Sequence, residues 1–272
     1  LVVVVLQMRC WILCVWLLGS HKLSAQWLSA AESLFVGCSL PSRHQPDVFC
    51  GILPAGSAAE KRKNHWGIRS TWPYGNTGLQ ETSLAWASIG SEGVVTASFC
   101  RTGMPTMAQW RIHCGYGKWL ADQWMLMVHA RWLVTSGSGL LSSAETDARL
   151  KLMYKPSDQL VVGLQADGLN AFFRRQESGY GLAMEASVGI DINPSVFIHT
   201  SIRKNVERAI SGQWGFQYKM HTRAALRASI QWQPFVVSSM VLIQLNAGIR
   251  LGVGSAFHPV LGVSPGMQLH FL

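Results

Sequence analysis

From Asp122 to Thr135 the even positions read Trp124, Leu126, Val128, Ala130, Trp132 and Val134, and the odd ones Gln123, Met125, Met127, His129, Arg131 and Leu133. A period of two is that of an extended strand, whose successive side chains point to opposite faces; a helix would scatter both sets around its circumference. The same split recurs in Trp110, Ile112, Cys114 and Tyr116 against Gln109, Arg111, His113 and Gly115. Ala148, Leu150, Leu152 and Tyr154 stand against Asp147, Arg149 and Lys151, and Leu160, Val162, Leu164 and Ala166 against Gln165 and Asp167. Further on come Val196, Ile198 and Ile202 against His199 and Arg203, and Trp214, Phe216, Tyr218 and Met220 against Gln213, Gln217 and Lys219. Leu226, Ala228, Ile230 and Trp232 face away from Arg227, Ser229 and Gln231. At the C-terminus Ala247, Ile249, Leu251 and Val253 alternate with Gly248, Arg250, Gly252 and Gly254, and Met267, Leu269 and Phe271 with Gln268 and His270.

Turn signals separate these runs: Tyr74-Gly75-Asn76, Lys155-Pro156-Ser157-Asp158, Asn193-Pro194-Ser195, Gln233-Pro234 and His258-Pro259-Val260-Leu261-Gly262. Runs and turns together predict about 14 strands of about ten residues, the length a tilted strand needs to cross a bilayer. Composition agrees with a surface that avoids water. Only 14% of residues are charged and 49% are hydrophobic, where a soluble domain carries about a quarter charged. A soluble exported β-sandwich shares the alternation and is the third reading, after the two membrane readings below. Beyond residue 26 no apolar run approaches a spanning helix, so a membrane location requires a closed barrel, which leaves no open edge in lipid. The expected fold is therefore an all-β transmembrane antiparallel barrel over residues 64–272, preceded by a short plug or arm. The apolar set faces lipid, the Arg, His and Gln set faces the interior, and Trp119, Trp132, Tyr154, Trp214, Trp232 and Phe271 form an interfacial girdle. The segment Phe235 to Leu245 is apolar on both faces, and is expected to lie against another part of the protein or a partner.

Residues 1–25 read as an export signal: Met8-Arg9 gives a start and a charge, Trp11 to Leu18 an apolar core, and Leu23-Ser24-Ala25 a cleavage site, with residues 1–7 an upstream extension. Residues 26–63 form the N-terminal segment, with a strand expected from Glu32 to Leu40 and a tight turn leading into a short helix over Leu53 to Ala59.

The formal net charge is +9, but the one dense basic cluster, Glu60-Lys61-Arg62-Lys63-Asn64-His65, is short and the other cations are dispersed, so it reads as a solvated loop or a lipid-headgroup contact and no nucleic-acid partner is expected. Cys10 and Cys14 fall in the leader, Cys38 and Cys50 form a possible disulfide pair only if exported, and Cys100 and Cys114 read as small packing residues. Gly115-Tyr116-Gly117 and Gly252-Val253-Gly254 lack the following helix of a phosphate cradle, and Ser136-Gly137-Ser138-Gly139 lacks the P-loop lysine. No catalytic residue, cofactor or metal site is expected. His129 beside Arg131 is the one pairing that suits an anionic ligand, against the plainer reading of a satisfied interior histidine.

The closing His258-Pro259-Val260-Leu261-Gly262-Val263-Ser264-Pro265, the strand–turn–strand from Leu152 to Gly163, and Leu53-Pro54-Ala55-Gly56 resemble the PorV/PorQ-type outer-membrane proteins, distant relatives of the FadL transporters found in bacteria with type IX secretion. Leu53 stands where that family has Asn. The resemblance implies a barrel of about 14 strands in the bacterial outer membrane with no enzyme activity. Its partners would be outer-membrane lipid and other outer-membrane or surface-exposed secretion proteins. The leading expectation is an accessory or docking subunit of a type IX secretion-type or surface-protein complex. The alternative is a FadL-like channel for small hydrophobic compounds.

Overall fold

A computed structural model describes residues 63–75, 78–90, 93–104, 106–137, 140–170, 181–206 and 209–271. The expected leader, the 26–62 segment with its strand and turn, and Cys10, Cys14, Cys38 and Cys50 lie outside the described residues. Fourteen strands follow one another along the described chain: β1 (Lys63–Thr71), β2 (Gln80–Gly90), β3 (Gly93–Met104), β4 (Met107–Ala121), β5 (Trp124–Gly137), β6 (Leu140–Tyr154), β7 (Leu160–Asp167), β8 (Ala183–Asn193), β9 (Val196–Asn205), β10 (Ser211–His221), β11 (Ala224–Trp232), β12 (Val236–Asn246), β13 (Ile249–His258) and β14 (Gly262–Phe271). Each pairs antiparallel with its neighbours in sequence, and β1 closes the ring on β14 with Trp66 opposite Phe271 and Thr71 opposite Gly266.

The closed ring leaves no strand edge to satisfy, which is what allows a sheet to sit in hydrocarbon. The alternation sorts as expected. On β5 Trp124, Val128 and Trp132 are exposed on the outside, while Met125, Met127 and Arg131 are buried inside. Ile230 and Trp232 on β11, and Val253 and Phe257 on β13, are likewise outward. In water such a surface would be a severe liability; in a bilayer it is the belt that holds the barrel.

The predicted turns fall between strands. Asn193 caps its own turn, its Oδ1 accepting from the backbone N–H of Ser195 (2.8 Å) and Val196 (2.9 Å), the Asx geometry that makes Asn a turn residue. In the connection between β1 and β2, Pro73–Gly75 forms a single 3-10 turn in which Tyr74 has φ 58° and its N–H donates to Ser264 Oγ at 2.7 Å. This ties the first hairpin to the last strand beside the closure.

Aromatic residues mark both ends of the belt. At the end where β1 begins and β14 finishes, Trp124 and Tyr154 stack with centroids 4.2 Å apart. Toward the opposite end Trp110 packs against Phe99 with the rings tilted, and carries the Arg101 guanidinium 5.4 Å from its ring centroid. Trp232 lies flat over Gly212, where a Cβ would fall 1.9 Å from the indole, so glycine makes room for an interfacial ring. Trp119 departs from the girdle expected of it. It turns inward and packs on buried Met125 and Met127.

Candidate functional site

The interior wall is built from the second residue of each pair, and its acidic and basic members form two ion-pair networks among other buried polar side chains. In the first, Glu81 on β2 receives Arg69 Nη2 from β1 (3.1 Å) and Arg111 Nη2 from β4 (2.9 Å). Thr102 on β3 donates to Glu81 at 3.2 Å and accepts from Arg111 at 3.1 Å. The register makes this possible: Arg69 stands opposite Ser83 and Glu81 opposite Thr102, so four strands present one level of the wall. Cys100, expected to be a packing residue, faces this level and lies 3.3 Å from Arg111 Nη2, whereas Cys114 points outward and is exposed.

The second network runs from β5 to β9. Arg131 pairs with Asp147 directly opposite, and Arg149 pairs with Asp167. Asp167 also takes Arg203 Nη2 at 3.0 Å and Gln165 Nε2 at 3.0 Å, and Arg203 approaches Glu185 at 3.9 Å. The backbone N–H of Gly168 donates to Asp147 Oδ2 at 3.2 Å, fixing the start of the connection after β7. Three guanidinium groups face three carboxylates, so the charges cancel within the network. Glu81 and Asp167 are 1% and 2% exposed, and charges removed that far from water persist only when paired in this way. His129, paired in register with Arg149, lays its ring over Gly115, where a Cβ would fall 2.3 Å from Nδ1. The neighbouring guanidinium of Arg131 is engaged by Asp147, so the two side chains do not form a joint anion clamp.

Elsewhere the inner wall carries further buried polar side chains, Lys151, His199, Gln217 and Arg227 among them, and two apolar patches. Near the end where β1 begins, Met125, Met127 and Met153 cluster with Ala87 and Val94, backed by Ile89, Trp119 and Val161. The thioethers lie down on Gly117, whose Cβ would meet Met125 Cε at 2.6 Å. Unbranched methionine adapts to irregular apolar shapes, which suits a surface that must fit more than one neighbour. A second patch joins Ala225, Val236, Met240, Leu242 and Ala256 on β11 to β13. This patch accounts for the segment Phe235 to Leu245. One of its apolar faces lies outward with Phe235, Val241, Ile243 and Leu245, and the other is the inner wall itself. Seating against an outside partner is therefore not what makes the segment apolar on both sides.

Sequence alternation reached Asp147, Arg149, Asp167 and Arg203, which the structure brings together, but not Arg69 and Glu81. Their signal was present as polar residues between outward Ile68 and Leu84. Among the described residues no group of three or more His, Cys, Asp or Glu is placed to hold a metal ion, and no helix is long and apolar enough to cross a membrane.

A closed ring of fourteen antiparallel strands, apolar outside and polar within, defines a β-barrel of the outer-membrane class. Solved structures agree on the fold. The chain is similar to the CymD monoaromatic hydrocarbon channel, with TM-score 0.59 at 8% identity over 88% of this chain and 94% of that one. A TodX monoaromatic hydrocarbon channel mutant aligns with TM-score 0.56 at 10% identity over 80% of this chain and 91% of that one. The toluene transporter TbuX of Ralstonia pickettii aligns with TM-score 0.53 at 8% identity over 78% and 88%. No family model matches the sequence, and no curated protein matches it.

Proposed function

We propose that the barrel is an outer-membrane channel for small hydrophobic compounds, of the kind expected from the distant FadL likeness. The observation that carries this reading is the lining. Two apolar patches, the methionine shelf and the Met240–Leu242 wall, occupy parts of the inner surface, while Arg131, Arg149 and Arg203 are matched by Asp147, Asp167 and Glu185. A wide aqueous pore would instead leave its charged lining wet, as in porins of more strands. Outer-membrane barrels of this class have short periplasmic turns and longer outer loops. The two-residue connections cluster at the end where β1 begins, so the methionine shelf lies toward the periplasm and the ion networks toward the outside.

The docking-subunit reading, with PorV/PorQ-type partners in a type IX secretion-type complex, draws its motive from short loops and from the two-sided apolar segment. That segment has its explanation within the wall, and short loops by themselves do not favour docking over transport.

The test is flux across reconstituted proteoliposomes. Entry of toluene into vesicles carrying an internal solvatochromic dye should rise with protein content, while swelling in sucrose should not. Sucrose permeation without any gain for toluene would overturn the reading.

A further inference from the structure

Across the outer face the register lines up Met267, Ser70, Thr82, Arg101, Trp110 and Val134, from β14 through β1 to β5. Ser70, Thr82 and Arg101 share the parity of outward Ile68, Leu84 and Phe99, so three adjacent strands interrupt the apolar belt at one level. Each lies within three residues of the strand end away from where β1 begins. Charge on the lipid face is least costly near that boundary, but tolerance alone does not select it. Arg101 has no carboxylate to meet. Among the described residues it makes no hydrogen bond or ion pair, and its contact is the Trp110 ring. Glu81, next to Thr82 in sequence, points inward to Arg69 and Arg111. A ring contact engages the charge of a guanidinium and leaves its N–H donors available. Directly opposite, Thr82 is exposed and its hydroxyl makes no hydrogen bond among the described residues. Ser70 Oγ accepts from Gln80 Nε2 at 2.9 Å, which leaves its proton to donate. Opposed side chains in a sheet stand about 5 Å apart, so one held cation and two hydroxyl donors share a notch.

We propose that this notch holds the phosphate of a membrane lipid in the outer leaflet. The planar guanidinium fork matches phosphate oxygens, and the indole beside it keeps the fork in place. The next outward row toward the middle of the belt is Ile68, Leu84, Phe99 and Ile112, all exposed. A polar row above an apolar one fits a molecule with an anionic head and hydrocarbon tails, and a free phosphate would use only the upper half. The choice of leaflet rests on the orientation argued above. The headgroup chemistry does not, and neither depends on transport.

The probes are dioleoyl phosphatidic acid and dioleoyl phosphatidylcholine, which share acyl chains and differ in the head. Lipid bound to the full-length protein in neutral detergent is counted by native mass spectrometry. The wild type is expected to prefer phosphatidic acid. Arg101→Gln should weaken phosphatidic acid by about five- to tenfold and leave phosphatidylcholine unchanged. Arg101→Lys, which keeps the charge and loses the fork, should retain part of the preference, and Thr82→Val should lower it with the guanidinium in place. Lys118 is an outward cation near the other end of β4, opposite Gly93 and Leu126 with no hydroxyl beside it, so Lys118→Gln should leave the preference unchanged. Glycerol 3-phosphate at the lipid's concentration should not displace it. A preference that survives Arg101→Gln, or an equal loss in Lys118→Gln, overturns the notch. Displacement by glycerol 3-phosphate overturns the lipid as its occupant. Absence of toluene flux with the Arg101-dependent preference intact removes the channel reading and keeps the notch.

Discussion

Arg111 on β4 reaches Glu81 on β2 across the full width of β3, with Nη2 2.9 Å from Oε2. The other oxygen of the same carboxylate takes Arg69 from β1, so one acidic side chain bridges two guanidinium groups over four strands. Replacing Glu81 by Ala would leave both cations buried without it. The expected loss is about 3–5 kcal/mol, read as a lower urea midpoint for the reconstituted barrel. Glu81→Gln, which keeps the shape and two hydrogen-bonding atoms, should recover only part of it.

Outward positions tolerate charge poorly. Val128, the fifth of the 14 residues of β5, is 50% exposed on the outer face. Val128→Arg should cost about 2–4 kcal/mol in a bilayer, the range for a cation near the membrane midplane. The same substitution should cost much less in a detergent micelle that deforms around it, so the contrast between the two media is the measurement.

The faces of the strands were legible from alternation alone: Trp124, Val128 and Trp132 point out, and Met127 and Arg131 point in, as their parity requires. Parity does not say what an inward residue meets. Glu81 and Arg111 lie 30 positions apart in sequence, and their meeting depends on the stagger of four strands, which no local pattern encodes. Trp119 has the composition of a girdle residue, but Gly117 next to it opens an inward recess that the methionines fill, and the indole follows them. For β12 two apolar faces signalled a covered surface, and only the closed ring showed that the cover on one side is the barrel's own interior. The signal and N-terminal expectations concern residues outside the described chain.

Gly212 is where Trp232 rests, and a Cβ there would overlap the indole. Gly212→Val should displace the ring from the outer surface of β10 and cost about 1–3 kcal/mol, the usual penalty of overpacking. Trp232→Ala in the same background should reduce that penalty, because the clash then has no partner. A double-mutant cycle on thermal midpoints measures the coupling.

Tyr74 lies in the connection outside the strands, and burial raises the pKa of its phenol above the ordinary tyrosine value. The folded chain keeps the neutral phenol where an unfolded chain ionises, so this group's contribution is complete below about pH 10 and is lost as pH climbs through the raised folded value. Tyr74→Phe should therefore flatten the alkaline fall in thermal midpoint and leave the midpoint near neutrality within reach of the wild type.

The claim that supports all of this is the placement of alternate side chains in lipid and in the interior of a closed ring. Single spin labels at positions 124 to 132, in a background with every native cysteine replaced by serine, read that placement directly through collision with oxygen in reconstituted bilayers. High oxygen accessibility at 124, 126, 128, 130 and 132, with low values at 125, 127, 129 and 131, is the predicted result. A profile without period two, or one with the opposite phase, would contradict the barrel's membrane orientation and the lining built on it.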